Sequence, residues 1–142
     1  MEKLFPLIDT GDTAWMLFSA ALVMLLTHGI SLYYGGMARA RNVLGTMMHG
    51  LVLLCVVSVV WVACGYAAAF GGDRGGVIGG VEWFWFSGIG SERAQPAETV
   101  PNGTFAMFHG FLAVVAVSLI SGSFAERMKF KAFLLFSTLW VF

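Results

Sequence analysis

The chain has 142 residues, of which 58% are hydrophobic and 11% are charged, and its mean hydropathy is +0.82. Soluble domains are roughly 45–50% apolar and about 25% charged, so this composition excludes an ordinary soluble domain and indicates a membrane protein. The eight Lys and Arg residues balance eight Asp and Glu residues, and without a basic excess we expect no nucleic-acid partner.

Stretches without charged residues predict the membrane spans. The first span is predicted at 13–34, where a helix at ~1.5 Å per residue covers about 33 Å, enough for a hydrocarbon core of ~30 Å. A second span is predicted at 46–70 and a third at 104–125, separated by a glycine-rich outer loop at 71–103. The fold class is therefore an all-α integral membrane protein, a helical bundle with three full transmembrane helices.

A further apolar stretch at 132–142 predicts a fourth helix that is truncated. As a helix it covers only about 16 Å, roughly half of a bilayer. A chain end at that depth would leave a carboxylate and unpaired helix carbonyls in hydrocarbon, each costing several kcal/mol. We therefore expect the sequence to be a fragment of a longer protein; the alternative is a short re-entrant or interfacial helix.

The basic residues predict the orientation, because short cytoplasmic loops carry an excess of Lys and Arg. The two short loops between spans carry Arg39, Arg41, Arg127, Lys129 and Lys131. The opposite side has fewer basic residues, in longer segments that also hold carboxylates. The short loops should therefore be cytoplasmic, in a multi-pass protein of the cell membrane with its N-terminus outside.

Of the Asp, Glu, Lys, Arg and His residues, only histidines lie inside the predicted spans, which makes them candidates for function. Across antiparallel helices, His28 and His49 could approach one another on the cytoplasmic side, whereas His109 lies in the outer half of the third span. Two facing histidines could ligate a haem iron, as in a b-type cytochrome. The alternative is that each histidine is neutral and hydrogen-bonded to a neighbouring helix.

The sequence contains no paired intramembrane carboxylates, no phosphate-binding glycine loop with Lys and Ser or Thr, and no Cys/His spacing suited to zinc. We therefore expect no enzymatic activity, no catalytic residues, and no cofactor or metal ligands.

Three stretches carry a resemblance to a known family. They are DTAWMLFSAALVMLLTHGISLYYGGMARARNVLGTMMH at 12–49, WVACGYAAAFG at 61–71 and SLISGSFAERMKFKAFLLFSTLW at 118–140. In order and spacing they resemble the first spans of ammonium transporters of the Amt/Mep/Rh family. The chain is similar to the N-terminal portion of such a protein.

The resemblance implies a homotrimer whose subunits each have about eleven transmembrane helices, built as inverted repeats around a narrow hydrophobic pore. Its partners would be ammonium or ammonia, the lipid bilayer and a cytoplasmic regulatory protein. The implied activity is ammonium transport. An alternative function is a membrane module of an ammonium sensor, in which the same bundle drives a cytoplasmic signalling domain.

By the same resemblance, two residues of the third span belong to an outer substrate-binding vestibule. Phe108 matches a vestibule phenylalanine of the family, and Leu112 stands where the family has a gating phenylalanine. Leucine keeps a hydrophobic plug but has no ring face. A cation–π contribution of about 0.5–2 kcal/mol would therefore be missing at this position.

Overall fold

The computed structural model of the protein describes residues 8–75, 78–90, 93–94 and 97–142. Five α-helices account for most of them: α1 (Thr10–Met37), α2 (Val43–Val60), α3 (Tyr66–Phe70), α4 (Asn102–Phe124) and α5 (Phe130–Trp140). The end of the bundle at which α1 and α4 begin is called the outer end here, and the opposite end the inner end.

Helix α1 begins earlier than the predicted start at residue 13 because a carboxylate caps it. The side chain of Asp9 accepts hydrogen bonds from the backbone N–H groups of Gly11 (2.6 Å) and Asp12 (3.2 Å). An N-cap of this kind satisfies amide groups that have no partner inside the helix. Asp12 in the first turn also interacts favourably with the helix dipole. The charged residues that precede the predicted start thus form the cap and the first turn of the helix.

The second span is one continuous helical segment, Ala40–Phe70, of 31 residues. A 3₁₀ turn at Ala40–Asn42 leads into α2, and a π-helical turn at Trp61–Gly65 separates α2 from α3. In this turn the N–H of Tyr66 donates to the carbonyl of Trp61, five residues earlier. A π turn inserts an extra residue and so rotates everything after it about the helix axis.

Three helical segments within the described residues are long and apolar enough to cross a membrane: Thr10–Met37, Ala40–Phe70 and Asn102–Phe124. Helix α5 is apolar but has only 11 residues. The predicted fold class of a membrane helical bundle, with three full spans and a shorter fourth helix, is confirmed.

The segment between α3 and α4 folds back over the outer end of the bundle. It contains two short antiparallel pairs, β1 (Asp73–Arg74) with β2 (Ile78–Gly79) and β3 (Arg93–Ala94) with β4 (Ala97–Pro101), and a 3₁₀ turn at Phe84–Phe86. The backbone approaches α3 so closely that a Cβ on Gly79 would lie 2.5 Å from the carbonyl oxygen of Ala67. Only glycine allows this approach.

Two groups of buried residues form the interior. Toward the inner end, α2, α4 and α5 contribute a mainly aliphatic group: Leu53, Val57, Val114, Val117 and the ring of Phe133. Toward the outer end, the π turn, α3 and α4 contribute an aromatic group around Trp61, Tyr66, Phe105 and Ala106. Helix α1 packs against both α2 and α4, yet much of its apolar surface is exposed, so its outward side is free to meet lipid or further protein.

Candidate functional site

Phe108 lies in a groove at the outer end of the bundle. The groove has a volume of about 370 Å³ and is lined by residues of α1, β4 and α4: Asp12, Trp15, Met16, Ser19, Ala97, Thr99, Val100 and Phe108. It therefore combines one carboxylate, two hydroxyl groups and two aromatic rings. Carboxylates, hydroxyl oxygens and ring faces all attract a small cation that carries N–H donors.

The other predicted site residue, Leu112, lies one helical turn further along α4 and is 40% exposed. Residues four apart share a helix face, but Leu112 does not line the groove that contains Phe108. The structure thus places the two residues on one face of α4 without enclosing them in one cavity.

The site predicted from the sequence does not include the residues that α1 contributes to this groove. Asp12 and Trp15 belong to the D-x-A-W-M-L motif that carried the family resemblance, so the motif itself was the available signal. Their position beside Phe108 depends on how α1 packs against α4, which the residue pattern does not contain. A backbone hydrogen bond from Asp9 N–H to the carbonyl of Thr99 (2.9 Å) fixes the start of α1 against β4.

The outer part of α4 is held by two aromatic side chains of the second span. The indole Nε1–H of Trp61 donates to the carbonyl of Ala106 at 3.0 Å. The hydroxyl of Tyr66 donates to Oδ1 of Asn102, the first residue of α4. The indole of Trp61 can pack directly against α4 because residue 110 is a glycine. A Cβ at Gly110 would lie 2.8 Å from the indole Cδ1. Direct hydrogen bonds therefore join the second and third spans next to the groove.

The three histidines do not form a joint site. His49 packs edge-on against Phe133, with ring centroids 4.7 Å apart, and lines an inner cavity that does not include His28. His28 lines a separate crevice between α1 and α2. With the two rings in different cavities, the structure does not support the haem hypothesis. Among the described residues, no group of three or more His, Cys, Asp or Glu side chains could hold a metal ion.

Within the described residues, the histidine hydrogen bonds lie inside each histidine's own helix and not, as expected, to a neighbouring helix. The Nδ1 atoms of His28, His49 and His109 lie 3.0, 2.6 and 3.0 Å from carbonyl oxygens four residues earlier in their own helices. A side chain that bends back along its helix satisfies this nitrogen locally, so Nδ1 needs no partner from another helix. His109 also packs against Phe105, with ring centroids 4.1 Å apart.

At the inner end, the carboxylate of Glu126 joins the two inner loops. Its Oε1 accepts hydrogen bonds from the backbone N–H of Arg39 and from Nδ2 of Asn42, both at 3.0 Å. Its Oε2 lies 3.7 Å from Nε of Arg39. The hydrogen bond from Asn42 lowers the pKa of the Glu126 carboxyl most, followed by the Arg39 N–H and the nearby positive charges.

The pKa of Glu126 predicts a pH dependence of stability. Because the folded state lowers this pKa below its ordinary value of 4.5, the contribution is complete above about pH 4.5 and is lost as the pH falls through the lowered value. We expect Glu126→Gln to reduce the thermal midpoint of the detergent-solubilised protein at pH 7, and the difference from wild type to vanish in acid. Lys129→Gln, which changes the net charge by one unit in the same loop, should not show this convergence. A difference that persists unchanged at pH 3 would contradict the assignment.

Three spanning helices packed around buried aromatic and aliphatic groups define a multi-pass membrane protein of the helical-bundle class. The sequence matches the Ammonium Transporter Family over residues 14–142. The chain belongs to the ammonium transporter family, which confirms the resemblance found in its motifs.

Individual relatives agree with this membership. The chain is 48% identical over 133 residues to an ammonium transporter of Bacillus subtilis, covering 94% of this chain and 33% of that protein. It is 40% identical over 154 residues to an ammonium transporter of Mycobacterium tuberculosis H37Rv, covering 96% of this chain and 32% of the relative. The chain thus spans about a third of the length of the curated relatives it matches.

Solved structures show the same fold. The crystal structure of the N240A mutant of Candida albicans Mep2 superposes with a TM-score of 0.82 at 26% identity, covering 94% of this chain and 29% of that one. Saccharomyces cerevisiae Mep2 gives a TM-score of 0.78 at 27% identity, covering 94% of this chain and 30% of that one.

Proposed function

We propose that this chain is the N-terminal part of an ammonium transporter subunit, and that the whole protein moves ammonium or ammonia across a membrane. The observation that carries the proposal is the 48% identity to the Bacillus subtilis ammonium transporter, which extends over 94% of the chain. The three spanning helices supply a bundle of the required kind. No contact among the described residues favours the sensor alternative.

The outer groove is the proposed entry site for the substrate. Asp12 lies among its lining residues and would attract a cation from the aqueous side, and the rings of Trp15 and Phe108 would receive it next. Leu112 continues the same face of α4 one turn deeper and would form an apolar barrier below the groove. An apolar barrier favours passage of a dehydrated species over a hydrated ion.

The proposed assembly is a homotrimer of subunits of about eleven helices, in the cell membrane, with the N-terminus outside. The exposed apolar residues of α1 outside the groove support further packing partners, since Leu25 is 66% and Phe18 58% exposed. The inner end carries exposed Arg39 and Arg41 on one loop and Lys129 on the other, as cytoplasmic loops do. A cytoplasmic regulatory protein would meet this basic face.

Leu112→Phe tests the proposed substrate path. In liposomes that contain the whole transporter, ammonium should evoke currents. Leu112→Phe should lower the half-saturating ammonium concentration roughly twofold to thirtyfold, because a ring face adds a cation–π interaction of about 0.5–2 kcal/mol. Met107→Phe, which adds a ring at an exposed position about 140° around α4 from Leu112, is the control and should leave this concentration unchanged.

Two results would contradict different parts of the proposal. A wild-type protein without ammonium-dependent current would refute transport. A conducting protein in which Leu112→Phe leaves the half-saturating concentration unchanged would refute only the placement of Leu112 beside the substrate.

A further inference from the structure

The π turn of the second span directs two aromatic side chains to one neighbour. Trp61 and Tyr66 are five residues apart, and in a regular α-helix their side chains would point about 140° apart. The wider turn at Trp61–Gly65 changes this relation, and both residues contact α4. π turns of this kind are frequent at functional sites.

The groups contacted on α4 follow one another at intervals of one helical turn. Tyr66 bonds to Asn102 and Trp61 bonds to Ala106, while Gly110 provides the space for the indole. Positions four apart lie on the same side of a helix. This side of α4, defined by Asn102, Ala106 and Gly110, is therefore fixed against the π turn.

Phe108 projects in a different direction from the same part of α4. It follows Ala106 by two positions, which corresponds to a rotation of about 200° around the helix axis. It therefore faces away from the π turn and into the groove that it shares with Trp15 of α1. Any rotation of α4 about its axis would move Phe108 relative to Asp12 and Trp15.

The bond between Tyr66 and Asn102 is well protected from competing groups. Tyr66 is completely buried and Asn102 is 6% exposed. The Tyr66 ring packs against Trp83 and Phe86, each with a centroid distance of 5.5 Å. A buried polar group that loses its partner is costly, so this bond strongly favours one rotational setting of α4.

We infer that Tyr66, Asn102 and Trp61 are positioning residues for the outer ammonium site: their hydrogen bonds set the rotation of α4 and thereby the direction of Phe108 into the groove. The inference rests on the proposed function. It assigns to Tyr66, Asn102 and Trp61 a role in substrate affinity at a distance from the substrate itself.

Tyr66→Phe tests the inference because it removes only the hydroxyl. In liposomes containing the whole transporter, the half-saturating ammonium concentration should rise about fivefold, equivalent to about 1 kcal/mol at 1.4 kcal/mol per tenfold change. The maximal current per assembled protein should stay within about twofold of wild type. Tyr34→Phe is the matched control, because Tyr34 also donates a hydroxyl to α4, at the carbonyl of Leu119 (2.8 Å), but at the inner end. It should leave the half-saturating concentration unchanged.

A second variant tests whether the two groups act as one unit. Asn102→Ala should raise the half-saturating concentration by a similar factor, and the double variant with Tyr66→Phe should be no worse than the more affected single variant. If Asn102→Ala does not assemble, Tyr66→Phe against Tyr34→Phe decides alone. An unchanged value in Tyr66→Phe, or an equal shift in Tyr34→Phe, would overturn the inference while leaving transport intact. A wild-type protein without ammonium-dependent current would overturn the proposed function and the inference together.

Discussion

Trp61→Ala is expected to lower the free energy of unfolding by about 3 kcal/mol. Trp61 is 8% exposed, lies between Gly65 and Gly110, and donates to the Ala106 carbonyl. Truncating a buried aromatic residue typically costs about 3–5 kcal/mol. We expect the lower value of this range. The separated helices are surrounded by apolar lipid and not by water, which reduces the hydrophobic part of the destabilisation. Unfolding of the purified protein in mixed micelles with increasing denaturing detergent measures the change.

Trp15→Ala is the matched control for this substitution. Trp15 is 71% exposed and has no hydrogen bond in the described structure that corresponds to the Trp61–Ala106 bond. We expect a change below about 0.5 kcal/mol, as for surface substitutions in general. Equal losses in Trp61→Ala and Trp15→Ala would show that the Trp61 contacts do not hold the second and third spans together.

Gly50→Ala should destabilise the contact between α1 and α2 by about 3 kcal/mol. A Cβ on Gly50 would lie 1.6 Å from Oγ and 2.5 Å from Cβ of Ser31. Ser31 cannot relieve this overlap by rotating, because its Cβ would still collide and its Oγ would lose the 3.0 Å hydrogen bond to the Thr27 carbonyl. The helices must separate, and overpacking of this kind costs about 1–3 kcal/mol. The same detergent titration measures the effect.

Two companion variants isolate the cause. Gly45→Ala, in the same helix with no atom within 4 Å of the added Cβ, should be neutral or stabilising, because alanine favours helix by up to about 1 kcal/mol over glycine. Ser31→Gly combined with Gly50→Ala should restore most of the lost stability. If the double variant is as unstable as Gly50→Ala alone, the collision with Ser31 is not the reason for the loss.

The membrane spans could be predicted because hydrocarbon imposes a simple requirement on the sequence. A segment that crosses it must be apolar over a fixed length, so uncharged stretches identify α1, the second span and α4 directly. The helix ends were harder to predict, since Asp9 and Asp12 lower the hydropathy of a segment while stabilising the start of α1. In the sequence these carboxylates mark the end of the apolar stretch, whereas in the structure they form the cap and the first turn of α1.

The arrangement of the candidate site could not be predicted in the same way. The groove depends on the approach of Trp15 to Phe108, two residues almost a hundred positions apart in the sequence, and only the packing of α1 on α4 brings them together. The π turn at Trp61–Gly65 has no recognisable sequence pattern, because the residues around it are apolar throughout. The sequence indicates no role for Glu126 beyond its place in a family motif, because that role depends on Arg39 and Asn42 of a distant loop. The sequence shows the residue types, whereas contacts between residues of distant segments are visible only in the three-dimensional structure.

Helices α1 and α4 are fastened to each other near both ends. At one end, the amide of Asp9 is bonded to β4, which leads directly into α4, and at the other Tyr34 is bonded to the carbonyl of Leu119. Two helices that are hydrogen-bonded near both ends resist sliding past one another along their length. We therefore expect α1 and α4 to shift along their length together, so that axial sliding between helices during a conformational change takes place between this pair and other elements.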